Sequence, residues 1–184
     1  MPVSDESIIS MMMDEENKEQ GMRLLLQKYQ ERVYWVVRRM VKRHEDADDL
    51  VQEIFIRIYQ KINLYRGKAS LFTWIYRIAV NEALSFLNRE KRNLAVVGSD
   101  QLELAVDSSE SAGPDAETIQ NVLTEAVSRL PDRQRAVFTL RYYDGLKYEE
   151  MSGILDTSVG SLKASYHHAI KKVEDYVLKH AQLL

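Results

Sequence analysis

The stretch 73–92, TWIYRIAVNEALSFLNREKR, decides the fold class. Together with the residue just before it, its apolar positions Phe72, Ile75, Ile78, Ala79, Ala83, Phe86 and Leu87 recur at helical spacing and make one inward wall. The opposite stripe is Trp74, Arg77, Asn81, Ser85, Asn88 and Arg92, at steps of three, four, four, three and four. Ser70 stands where a helix N-cap is expected, its hydroxyl free to take an amide of the first turn. The period predicts an amphipathic helix. It leaves one oddity, a tryptophan at the head of a polar stripe whose far end is basic.

Working outward toward the N-terminus, Leu25, Leu26, Tyr29, Val33, Val36, Val37, Met40 and Val41 predict a helix within 22–44. A second, from about 46 to 63, buries Ala47, Leu50, Val51, Ile54, Phe55, Ile58 and Ile62. The segment NLYRGKAS breaks the pattern at Gly67. Residues 22–92 therefore read as a compact helical domain behind an acidic leader, 1–21. Residues 93–117 are rich in Ser, Asp, Glu, Gly and Ala and read as a flexible acidic linker. A second helical domain, 118–184, follows, with Pro131 expected at a first helical position. No stretch alternates as a strand would, so the expected fold is all-α, in two small helical domains.

Charge follows the same division. The net charge is −3, but residues 22–92 carry fifteen bases and eight acids, net +7, while 93–128 carry seven acids and no base. A basic block between acidic segments points to a polyanionic partner. The chain has no cysteine, which excludes disulfides and thiolate metal sites and suits a reducing compartment. The first residues lack the basic and apolar regions of a signal peptide, and no apolar run is long enough to span a membrane. There is no phosphate-binding glycine loop and no nucleophile elbow, so no catalytic residue is expected.

The second domain holds YEEMSGIL, a break at Asp156–Thr157, and SVGSLKASYHHAIKKV. Met151, Ile154 and Leu155 are expected to face Val159, Leu162, Tyr166, Ala169 and Val173 across a tight turn, a helix-turn-helix. Ser158 would cap the second helix. Ser158, Gly160, Ser161, Lys163, Ala164, Ser165, His167, His168 and Lys171 then form a face able to enter a major groove. Adjacent His167 and His168 lack the i, i+4 spacing of a helical metal pair, and HEDADD at 44–49 lacks the loop glycine of a calcium site, so no metal is expected.

The blocks DADDLVQEIFIRIY (46–59), YRGKASLFTWIYRIAVN (65–81), LPDRQRAVFTLRYYDGLKYEEMSGIL (130–155) and SVGSLK (158–163) resemble an extracytoplasmic-function (ECF) sigma factor, a small promoter-specificity subunit of bacterial RNA polymerase. The resemblance covers about 130 residues, both blocks in order around an acidic linker. It implies that the first domain binds core RNA polymerase through Asp48, Asp49, Gln52, Glu53 and Phe55 and captures the melted minus-ten element. There Trp74 would offer a π-face or wedge, Asn81 and Ser85 hydrogen-bonding edges, and Arg77, Asn88, Arg89, Lys91 and Arg92 a path for phosphates. Arg66, Lys68 and Ser70 would shape a loop pocket for an extruded base. Stacking, edge and phosphate contacts would offset the few kcal/mol needed to extrude that base. The helix-turn-helix would read the minus-thirty-five element as duplex, and the linker would be extended between them. Ser165, His168 and Ile170 stand where the family often has arginines, and Asp156 where it often has glycine. An anti-sigma partner and a cytoplasmic location are also implied. The competing expectation is a stand-alone helix-turn-helix regulator using its first domain for dimerisation or sensing.

Overall fold

A computed structural model describes residues 3–97 and 116–181. The described residues form helices and turns with no strand: α1 (Asp5–Met13), α2 (Lys18–Met40), α3 (His44–Lys61), a 3₁₀ turn (Ile62–Leu64), α4 (Leu71–Val97), α5 (Ala116–Ser128), α6 (Asp132–Phe138), a π turn (Thr139–Tyr143), α7 (Tyr148–Leu155) and α8 (Val159–Ala181). Ser70 caps α4, its hydroxyl accepting the Thr73 amide at 3.1 Å. Pro131 sits one residue earlier than expected, at the cap of α6 with an extended ψ of 142°. Five residues of the expected linker, 93–97, belong to α4, because no breaker interrupts the helix after Arg92. The rest of that expectation, apart from 116–117, lies outside the described residues.

The leader is more than an acidic tail. Ser4 caps α1, accepting the Ser7 amide at 3.2 Å, and Ile8 and Met12, one turn apart, are fully buried. Gly21 permits the close approach of α1 to α2, since a Cβ there would meet Met12 Cγ at 2.7 Å and the Met12 amide nitrogen at 2.8 Å. Asp5 accepts from the Tyr29 hydroxyl at 2.8 Å and from Lys28 at 2.8 Å. Burial, then this carboxylate, pushes the Tyr29 hydroxyl well above its usual range.

α2, α3 and α4 pack around Val33, Val36, Leu50, Ile54, Ile58, Ile75 and Ala79. The same core continues without a gap into Ala136, Leu140, Leu146, Met151, Ile154 and Leu162 of the second domain. A smaller cluster, Ala126, Val127, Leu130, Phe138, Ala169 and Val173, joins α5, α6 and α8. The domains are thus packed on each other, along α4 and the end of α2. At this boundary Arg135 is buried and donates to the carbonyls of Met40 (2.6 Å), Ser128 (2.6 Å) and Leu130 (3.1 Å). Desolvation lowers the pKa of its guanidinium. Asp144 pairs with Arg39 of α2 at 3.5 Å. Tyr76 of α4 is fully buried, and burial, reinforced by nearby Asp144, pushes its hydroxyl up to about 12.

Two outcomes follow from this packing. Ile8→Ala is expected to lower stability by about 2–4 kcal/mol, the range for emptying a buried Ile site, measured by urea unfolding; a change near zero would mean α1 is not part of the core. Burial raises the Asp144 carboxyl pKa against the opposing pull of Arg39 and Arg32. A raised folded-state pKa contributes stability at pH below the unfolded value and loses it as pH rises through the folded one. Wild type should therefore lose stability relative to Asp144→Asn as pH rises from about 4 upward, read from paired denaturation curves; a pH-independent difference would refute it.

Candidate nucleic-acid and partner-helix interface

α4 presents three sides. Leu71, Ile75, Ala79 and Ala83 enter the core. Thr73, Tyr76 and Val80 are also buried, and Thr73, Tyr76 and Arg77 meet the second domain. The remaining side exposes Arg77, Asn81, Ser85, Asn88 and Arg92, as the spacing predicts. Trp74, at the head of the stripe, is half-buried. Its ring meets Tyr65 edge-on, centroids 5.6 Å apart, with planes at 63°. The Tyr65 hydroxyl donates to the Ala69 carbonyl at 2.7 Å and closes the loop that exposes Arg66, Lys68 and Ser70. The indole also packs against the hydrophobic core, so only part of its surface is left to solvent. The basic end is partly engaged: Arg92 Nε donates to the Asn88 carbonyl at 3.3 Å, and Lys91 pairs with Asp132 of α6.

Arg89 stands at the edge of the stripe. At 100° per residue it lies about 40° round α4 from Ser85, exposed, and with Asp46, Asp49, Glu53 and Glu90 it lines a shallow concavity of about 270 Å³ between α3 and α4. Its guanidinium thus stands between the basic stripe and an acidic concavity. Asp46 is already taken, receiving two hydrogen bonds from Arg43 at 2.7 and 3.0 Å.

The α3 face needs one correction. Asp48, Asp49, Gln52 and Glu53 are exposed together, but Phe55 is only 4% exposed and faces the core. Its neighbour Ile56, 58% exposed, is the apolar side chain on that face. All seven residues of the expected inward stripe, Ala47, Leu50, Val51, Ile54, Phe55, Ile58 and Ile62, are buried. The periodicity places Phe55 inward correctly; its place on the polymerase face comes from the resemblance and does not fit this packing.

The helix-turn-helix is built as expected. Asp156 holds the left-handed conformation at φ 50° that ends α7, where an aspartate is tolerated better than most residues. The Ser158 hydroxyl accepts the Ser161 amide at 3.2 Å and starts α8. Met151, Ile154, Leu162, Ala169 and Val173 are buried between α7 and α8 and their neighbours, while Leu155, Val159 and Tyr166 are half-buried. Ser158, Gly160, Ser161, Lys163, Ala164, His167, His168 and Lys171 are exposed, and Ser165 is half-buried. Ile170 packs on the α5–α8 cluster rather than toward solvent, so an arginine is missing there because the position is inward. Among the described residues no cluster of His, Cys, Asp and Glu could hold a metal.

Comparison with known proteins agrees with this architecture. Residues 25–93 match the family model "Sigma-70 region 2", and residues 120–173 match "Sigma-70, region 4". The chain is 31% identical over 163 residues to an ECF RNA polymerase sigma-E factor of Escherichia coli K12, covering 84% of this chain and 85% of that one. It is 27% identical over 184 residues to the sigma-E factor of Haemophilus influenzae, covering 95% and 96%. In fold it is similar to the sigma factor RpoE from Bartonella quintana, solved with the anti-sigma factor NepR. There the TM-score is 0.69 at 20% identity, covering 85% of this chain and 96% of that one. It is also similar to CnrH, solved with the cytosolic domain of CnrY, with a TM-score of 0.67 at 16% identity, covering 93% and 95%. The match of the first domain to region 2 disfavours a stand-alone regulator with a sensing domain.

Phe55→Ala is expected to lower stability by about 3–5 kcal/mol, as emptying a buried aromatic site does, and Ile56→Ala by less than about 0.5 kcal/mol. Chemical denaturation checks both, and equal costs would show the two faces to be misassigned.

Proposed function

The chain belongs to the ECF sigma factors of the sigma-70 family, and we propose how its residues divide the work of transcription initiation. Asp48, Asp49, Gln52, Glu53 and Ile56 form the surface for core RNA polymerase. Four polar side chains around one exposed isoleucine suit a partner helix carrying arginines, an apolar spot within a charged rim. Trp74, Asn81, Ser85 and the loop Arg66–Ser70 receive the opened minus-ten strand, while Arg77, Asn88 and Arg92 follow its phosphates. The exposed face of α8, from Ser158 to Lys171, reads duplex DNA at the minus-thirty-five element. Two lysines and two histidines give it few phosphate partners, so polymerase contacts carry much of the affinity. The protein catalyses no bond change of its own; it positions and helps to melt the promoter for the polymerase. No helix among the described residues is long and apolar enough to cross a membrane, and we place its action in the cytoplasm beside the polymerase. An anti-sigma protein that covers these surfaces is the proposed regulator.

One observation carries the reading. The side chains Arg77, Asn81, Ser85, Asn88 and Arg92 keep a continuous line facing solvent, headed by half-buried Trp74, while Leu71, Thr73, Ile75, Tyr76, Ala79, Val80 and Ala83 of the same helix are buried. A line that passes from aromatic through amide and hydroxyl to guanidinium suits a strand that passes from unstacked bases to backbone.

The test is reconstitution with sigma-free core polymerase, scored by core binding and by promoter-dependent run-off transcription. Wild type is expected to do both. Trp74→Ala and Asn81→Ala should keep core binding and lose promoter opening, Trp74→Ala by about 1–3 kcal/mol, the worth of one base–aromatic stack. Absence of core binding by wild type would end the proposal.

A further inference from the structure

The face of α8 proposed to read duplex DNA carries its charge in an uncommon form. Between Asp156 and Glu174 the chain has no acid, and its bases there are Lys163, Lys171, Lys172 and the adjacent pair His167 and His168. At 100° per residue Gly160, Ala164 and Lys171 fall along one line of the helix, with His167 and His168 on its two sides. A Cβ added at Gly160 would meet nothing within 4 Å, so the head of that line is low and open to a duplex. Both imidazoles are exposed, their centroids 5.9 Å apart.

Neither ring is committed inside the protein. Among the described residues the histidine hydrogen bonds belong to His44, with the Tyr34 hydroxyl at 2.7 Å, and to His180, with the Tyr176 carbonyl at 2.8 Å. The histidine ion pair among them joins His44 to Asp48 at 3.7 Å. Carboxylates on the elements packed against α8 are held elsewhere. Glu125 of α5 pairs with Arg129 at 2.7 Å, Asp132 of α6 pairs with Lys91, and Glu150 of α7 accepts the Lys147 amide at 2.9 Å. Glu149 of α7 and Asp156 of the turn form no ion pair with either ring. The neighbouring cations have their own places. Lys163 lies over the Tyr148 ring of α7 at 5.7 Å and shares that ring with Arg141 at 5.0 Å, while Lys172 donates to Gln134 of α6 at 3.0 Å. Arg133 of α6 is exposed, and Arg135 is buried on main-chain carbonyls. The two imidazoles are thus the titratable groups of this face that are left for a ligand.

We propose that His167 and His168 make binding of the minus-thirty-five duplex proton-linked: they hold the DNA as imidazolium cations, so the chain grips that element more tightly as pH falls. The proposal rests on the minus-thirty-five role given to α8 above. An unperturbed imidazole changes charge at about pH 6.5. A phosphate or a guanine edge brought against it favours the charged form. The charged ring donates from both nitrogens, the neutral ring from one only. DNA binding therefore takes up protons from solvent. Because the bound state holds more protons than the free state, affinity rises as pH falls through this range and is lost as pH rises. An arginine at 168 would carry the same charge at every such pH and would give no such response.

The test measures binding of the reconstituted holoenzyme to a promoter duplex that supports run-off, by fluorescence anisotropy over a pH and salt series. Wild-type affinity, taken relative to the double variant His167→Gln, His168→Gln, should rise by about tenfold from about pH 7.5 to about pH 5.5. Its salt slope should steepen by about one to two over the same range, as one or two added phosphate contacts require. The ratio cancels titration elsewhere, including that of His44 beside the polymerase face. His168→Arg, with a fixed charge, should bind more tightly than wild type at the higher pH and respond less to acid. All these positions are exposed, so the fold is not at stake. Equal pH responses in wild type and the double variant would overturn the proposal. Lys163→Ala separates the two ways of failing. If it weakens binding at both pH values while those responses are equal, the minus-thirty-five reading stands and the proton linkage alone is wrong. If it changes binding at neither pH, that reading fails and takes the linkage with it.

Discussion

Everything in this structure depends on how α4 is shared. It has to bury one side against α2 and α3 to hold the first domain together. It buries a second side, marked by Tyr76 and Val80, in which Tyr76 meets the second domain. Only the third side is left for solvent, and that side carries the stripe from Arg77 to Arg92. A helix constrained on two sides is a rigid mount, which suits side chains that must meet bases in a fixed order. Trp74 occupies the seam between buried and exposed sides. It is neither fully core nor free surface, packed against the core and edge-on against Tyr65.

Much of this was legible in the amino-acid sequence because it is local. The spacing of Ile75, Ala79 and Ala83 defines one wall, Ser70 starts the helix, Ser158 starts α8, and Asp156 fits the left-handed turn between the helices of the motif. The polar stripe follows from the same periodicity. What was not legible is non-local. Tyr76 and Val80 look like surplus apolar residues until residues more than sixty positions later are packed on them. Arg135 reads as one more surface base, yet it is buried and ties α6 to the end of α2. The acidic neighbours of Arg89 were not legible either, because Asp46, Asp49 and Glu53 reach it from another helix, α3. Phe55 was legible as core from the period of α3, and it was the resemblance that drew it to the polymerase face instead of the exposed Ile56. In α1 the signal was present, a serine cap followed by Ile8 and Met12 one turn apart, but it was hidden under an acidic composition.

The domain boundary shows how an interface can be specific without being strong. A boundary packed only with apolar side chains would be hard to separate, since burying each large side chain is worth about 1.5–3 kcal/mol. Here Arg135 brings a buried atom, Nε, without a partner, and the Tyr76 hydroxyl and Asp144 carboxylate are buried beside each other away from water. Such atoms subtract from the apolar gain while fixing which surfaces meet, because Asp144 has its counter-charge in Arg39 and Arg135 finds the Met40 carbonyl in one register only. Register and weakness thus come from the same residues.

That combination has a functional logic. A promoter-reading protein of two domains has to be compact enough to survive when free and open enough to span its binding sites when at work. Covering its apolar flank with its own second domain meets the first demand. Making the cover lossy meets the second, because any partner that offers the orphaned groups water, counter-charges or hydrogen bonds while binding either domain lowers the free energy of the open form relative to the closed one. Arg77 joins the two domains, since it belongs to the exposed stripe of α4 and donates to the Gly153 carbonyl of α7.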